Sequence, residues 1–123
     1  MAVRLAVRAV VPARGTVRAS VPVGSEPMFL DDLSISGVAS RQLVVHAIEV
    51  GCPVLAGGEA GAGTSIFSAE GGIPAAIFSE DVLRPPNLGG DMRLPAGSVV
   101  AMTLESLSDE VLVVEGTISG RRA

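Results

Sequence analysis

Fifteen Gly and eight Pro punctuate this chain of 123 residues and cut its apolar content into short runs. Those runs are aliphatic and strongly β-branched: eighteen Val and six Ile stand beside eleven Leu and sixteen Ala, with three Phe and no Trp or Tyr. Branching at Cβ restricts a side chain in a helix and suits the pleated surface of a strand. The chain therefore reads as all-β. Gly and Pro together make up about 19%, below the ~25–30% of a low-complexity chain, and the length suits one domain-sized unit of about 100–150 residues.

Several chemistries are not expected. No run of eighteen uncharged apolar residues occurs, so no transmembrane helix is expected, and Arg4 and Arg8 interrupt the start too early for a secretory signal. One cysteine, Cys52, and one histidine, His46, supply neither an internal disulfide nor the three or four ligands of a Cys/His zinc site. We expect no cofactor, no metal and no enzymatic activity.

The net charge of −4 is unevenly placed. Residues 1–25 carry Arg4, Arg8, Arg14 and Arg18 and no acid, whereas residues 26–123 carry five Arg against thirteen Asp and Glu, +4 followed by −8. Opposite potentials steer and orient association, so these four arginines are the candidate interaction residues, lying along an acidic surface of the same chain or of a neighbour. An exposed Arg face on an ordinary strand is the plainer reading. Nucleic-acid binding is not expected, because no Lys and no aromatic platform accompanies the arginines.

Along the chain, Val3, Leu5, Val7, Ala9 and Val11 alternate with Ala2, Arg4, Ala6, Arg8 and Val10, the period-two pattern of a half-buried strand. A second strand over 16–23 follows the Arg14-Gly15 turn. Together they predict an N-terminal arm or hairpin, residues 1–24, ahead of a β-sandwich body, residues 25–123. Deleting the arm is then expected to leave a folded body. In the body, strands are expected from Phe29 to Ser36, over 42–50, around Ile66-Phe67 and 75–78, and over 98–105 and 111–119. The segment 42–50 alternates Leu43, Val45, Ala47 and Glu49 with Val44, His46, Ile48 and Val50, and so suits a central strand covered on both faces. Residues 56–72 read as a mobile Gly/Ala/Ser loop, and 106–110 as a hairpin loop.

Each chemical motif has a plainer structural reading. Gly58 to Ser65 matches a phosphate-binding loop superficially, but Thr64 stands where the lysine belongs and no helix pattern follows. His46 lies in the most apolar strand, where a hydrogen-bonded structural imidazole is the commoner outcome, and Cys52 between Gly51 and Pro53 suits packing. The acidic pairs Asp31-Asp32, Glu80-Asp81 and Asp109-Glu110 place neighbours on opposite strand faces, which suits turns and rims better than paired catalysis; Ca²⁺ held between subunits is the alternative.

The stretch Leu94-Pro95-Ala96-Gly97, the apolar run to Leu104, the loop Ser106-Leu107-Ser108-Asp109 and the return from Val111 to Gly120 resemble the closing strands of jelly-roll virion proteins. Leu43 to Gly51 and Gly72 to Ser79 look like the middle strands of small jelly-roll capsid and head decoration proteins of tailed bacteriophages. The resemblance covers about residues 29–120 and carries over no catalytic or binding residue. It implies a jelly-roll-like antiparallel β-sandwich and a structural virion protein, assembled in the host cytoplasm. It also implies a homo-oligomer, trimer or pentamer, that contacts a major capsid or shell protein. The alternative is a glycan- or receptor-binding module using loops 56–72 and 80–97. An enzyme of cupin type would need several metal-binding His and Glu, and only His46 is present.

Overall fold

The structure is a computed structural model that describes residues 2–36, 42–74 and 92–122, with the side chains of 31–36, 66–70, 73, 74 and 92 outside the description. Among the described residues it contains eight strands in two antiparallel sheets. They are β1 (Ala2–Val11), β2 (Thr16–Pro22), β3 (Met28–Ser36), β4 (Leu43–Cys52), β5 (Thr64–Pro74), β6 (Met92–Leu94), β7 (Val99–Ser106) and β8 (Leu112–Arg121). The first sheet runs β1-β8-β3-β6 and the second β2-β7-β4-β5. The order is nested: β1 pairs with β8, β2 with β7, β3 with β6 and β4 with β5.

This nesting corrects the expected hairpins. Residues 2–22 form no separate arm or hairpin, because β1 and β2 lie at the edges of different sheets and pair with β8 and β7 rather than with each other. The physical reason is burial: Val7, Val11, Ala19, Val21 and Val23 point into the main core beside Leu30, Leu104 and Ile118. Residues 107–111 likewise join two sheets instead of turning a hairpin. The β1–β2 and β7–β8 connections brace one another, with Arg14 N–H donating to the Ser108 carbonyl at 3.0 Å and Ser106 N–H to the Gly15 carbonyl at 2.9 Å.

The segment read as a mobile loop divides in two. Residues 53–61 close a miniature hairpin, with Val54 bridged to Ala60 and Leu55 N–H donating to the Glu59 carbonyl, while residues from Thr64 onward enter β5. The expected strand at 75–78, residues 80–91 and the turn 37–40 lie outside the described residues.

β4 is central, between β7 and β5, as its two apolar faces imply. Its faces differ from simple alternation. Leu43 and Val45 point inward, but so do Ile48 and Val50, because the ladder shifts register between Val45 and Ala47 toward both neighbours. A bulge inserts one extra residue and reverses the parity beyond it. That residue is His46, and the reversal turns Glu49 from the core side to the outer face.

Candidate functional site

The four N-terminal arginines separate into two pairs. Ala2, Arg4, Ala6, Arg8 and Val10 form the outer row of β1, all exposed, as a strand with Val7 and Val11 buried on its other side requires. Arg4 lies opposite Ser119 in the ladder and Arg8 opposite Glu115, yet neither arginine makes an ion pair among the described residues. Arg14 and Arg18, by contrast, are engaged by acids of their own chain.

Arg14 sits in the β1–β2 turn with a left-handed φ of 54°, and its Nε donates to Asp109 Oδ1 at 2.9 Å. That hydrogen bond, seconded by the guanidinium charge, holds the Asp109 carboxyl below its usual range. A carboxylate with a depressed folded pKa adds stability above its unfolded pKa and loses it as pH falls through the folded value. Both side chains are largely in water, so the pair orients the two connections more than it stabilises them.

Arg18 is a clasp. It projects from the outer face of β2 and donates from Nη1 to the Ala60 carbonyl. Its Nη2 donates to the Gly61 carbonyl at 2.9 Å and to Glu49 Oε2 at 2.5 Å. The planar guanidinium supplies several donors in a fixed fork, which suits it to hold a carboxylate and two carbonyls together. The result pins the 53–61 hairpin over the second sheet. Beneath it lies a small apolar cluster of Cys52, Val99 and Ala101, with Ala60 packed against it. The fit is close enough to need glycine at 63, where a Cβ would lie 2.6 Å from Cys52 Sγ.

Cys52 is fully buried there, with Arg18 Nη2 3.9 Å from its sulfur. Burial is the largest influence and pushes the thiol above its ordinary range; Arg18 pulls it down and Glu49 adds to the rise. A protonated, covered thiol is a poor nucleophile. Iodoacetamide should therefore modify Cys52 far more slowly in the native protein than in urea at the same pH. Arg18→Ala should speed native alkylation about tenfold, since losing hydrogen bonds to a charged group weakens local closure by about 1–2 kcal/mol. An unchanged rate would show that the hairpin is held by other contacts.

The bulge residue His46 stands on the same outer face, with Nε2 2.7 Å from Glu105 Oε1 on β7, a geometry in which the imidazole donates and the carboxylate accepts. Both side chains are about one-third exposed or less. The glycine-rich stretch 58–65 leads into a strand, not a helix, so it lacks the helix N-terminus that a phosphate loop uses. Of the acidic pairs, Asp109 meets Arg14, the Asp31-Asp32 backbone falls at a register shift in β3, and Glu80-Asp81 lies outside the described residues. Among the described residues no three His, Cys, Asp or Glu gather as metal ligands would, and no helix is long and apolar enough to cross a membrane.

Sequence reasoning missed an exposed apolar patch at one end of the first sheet. Val10 and Val113 are direct ladder partners at 56% and 41% exposure, and Val111 beside them is 59% exposed. Leu107, in the connection that leads into β8, is also exposed. The signal was present in Val10, the one large apolar residue in the Arg-bearing row of β1. Three comparisons, with family models, with curated proteins and with solved structures, find no match to this chain.

Proposed function

We propose that this chain is a structural subunit of a virion, a capsid-associated decoration or minor capsid protein that works through protein–protein contacts. The nested order β1-β8-β3-β6 over β2-β7-β4-β5 carries the reading. Eight strands wrapped in this way fit the double-sheet jelly roll, an architecture found in viral capsid domains and also in lectins and cupins. That step is an analogy of fold, and the surface supplies what the fold alone does not.

The surface favours contact between copies. Val10, Val111 and Val113 form an apolar spot, and the exposed Arg14–Asp109 pair at the same end of the sandwich gives it a polar rim. In a trimer or pentamer ring this spot meets a different face of the next copy, the head-to-tail contact that closes by rotation. Sedimentation velocity tests this directly. The expected result is one discrete oligomer across micromolar concentrations, and Val113→Asp should convert it to a monomer that still unfolds cooperatively, its stability no longer rising with protein concentration. A monomer at every concentration that also fails to bind purified phage shells would overturn the proposal.

A further inference from the structure

We propose that the free edge of β1 accepts an added strand from an extended, acidic segment of a partner protein. The inference rests on the protein–protein reading above and names the element and the chemistry of one contact. Three independent features of β1 point the same way.

The first is its backbone. β1 pairs on one side with β8 over ten consecutive positions without a register shift, and among the described residues nothing pairs with its other side. An unpaired edge presents a row of N–H and C=O groups to any extended chain, and proteins ordinarily blunt such edges by shortening, bulging or covering them. The other described edges are blunted in these ways. β6 has three residues, β2 ends in Pro22, and β5 follows β4 through two register shifts. β1 is the long regular edge.

The second feature is its inner row. Val3, Leu5 and Ala9 remain only partly buried although Leu5 and Ala9 pack on the core. A strand laid alongside would cover them, so the apolar layer has room to continue past β1.

The third feature is charge, and it selects the occupant. Arg4 and Arg8 stand on the outer row without ion pairs among the described residues, in a chain whose net charge is −4 and whose other two early arginines already hold acids. Antiparallel pairing of two copies through β1 about Ala6 would set Arg4 opposite Arg8 twice, and like charges facing across a ladder are destabilising. An acidic strand meets the same two arginines favourably. The same two side chains thus disfavour that self-pairing register and favour an acidic partner. Strand addition of this kind draws affinity from main-chain hydrogen bonds and selectivity from alternate side chains.

The test uses fluorescein-labelled octapeptides, capped at both ends, that alternate valine with glutamate or valine with lysine, titrated against the full chain and followed by anisotropy. The glutamate peptide should bind about tenfold more tightly than the lysine peptide, since attraction replaces repulsion at two cross-strand positions. The preference should shrink as salt rises, because these charges are exposed. Arg4→Gln with Arg8→Gln should erase the preference while leaving thermal unfolding nearly unchanged, since no like charge is then set opposite Glu115. N-methylation of alternate backbone amides of the glutamate peptide should abolish binding, and hydrogen exchange should slow at β1 amides. Equal binding of the two peptides, or undiminished binding of the N-methylated one, overturns the proposal. So does protection that falls elsewhere than on β1. A chain that binds the glutamate peptide yet sediments as a monomer and ignores shells keeps the edge and loses the capsid reading. An oligomer that binds neither peptide does the reverse.

Discussion

Deletion of residues 1–23 is expected to unfold the protein, the opposite of what a detachable arm would give. The deletion removes Val7, Val11, Val21 and Val23 from the core, four side chains whose burial stabilises the fold by about 1.5–3 kcal/mol each. The combined loss, about 6–12 kcal/mol, matches the whole stability of a typical domain, about 5–15 kcal/mol. It also strips β8 and β7 of their partners along one side, leaving two apolar central strands as open edges. Circular dichroism of the truncated chain should lack the cooperative melt of the parent. A truncated chain that melts cooperatively near the parental temperature would show that β1 and β2 are dispensable.

Gly120→Ala is expected to remove a large part of the stability with the addition of one methyl group. Gly120 lies in β8 between Val3 of β1 and Leu30 of β3, at the point where the β3 register shifts. A Cβ there would run into the carbonyl oxygen of Phe29 and lie 2.5 Å from Met28 Cε. Met28 has some freedom to move, but the Phe29 carbonyl belongs to the backbone and cannot rotate away. The strands must separate, so the loss should be about 3 kcal/mol or more, the upper end for overpacking. Gly57→Ala is the control: nothing lies within 4 Å of its would-be Cβ, and stability should change by less than about 0.5 kcal/mol. Chemical denaturation of both variants against the parent measures the difference. Similar midpoints for all three would mean that β3 gives way easily at Phe29.

These two expectations mark how far local pattern reaches. The alternation of Val3, Leu5, Val7, Ala9 and Val11 is a property of neighbours, and β1 has the orientation it implies. Which strand lies beside β1 is not a local property. Its partner begins at Leu112, and no feature of residues 1–24 distinguishes pairing with β8 from pairing with β2 across the nearby turn. The faces of β4 show a subtler limit. Strict alternation puts Glu49 among Leu43 and Val45, an improbable site for a carboxylate, and the bulge at His46 resolves the conflict by reversing parity. A charged residue on an otherwise apolar face was the available sign of that bulge.

The candidate site divides in the same manner. Arg4 and Arg8 were legible as an exposed row because they follow the strand period. Arg18 carries the same charge in the same segment but does something unrelated. Its partners, Glu49, Ala60 and Gly61, are 31 to 43 residues away and come together only once the 53–61 hairpin folds over the second sheet. Spacing in sequence holds no record of that meeting.

The nested strand order also governs how the protein must be made. Ribosomes deliver a chain from its N-terminus at about 5–20 residues per second. β1 emerges first, but its ladder partner starts at Leu112, roughly a hundred residues later, so β1 waits about 5–20 s with nothing to pair with. β2 waits almost as long for β7, while β4 and β5, joined by residues 53–63 with their own small hairpin, can meet as soon as they leave the exit tunnel. Synthesis therefore starts the fold in the middle of the chain and closes it from both ends last.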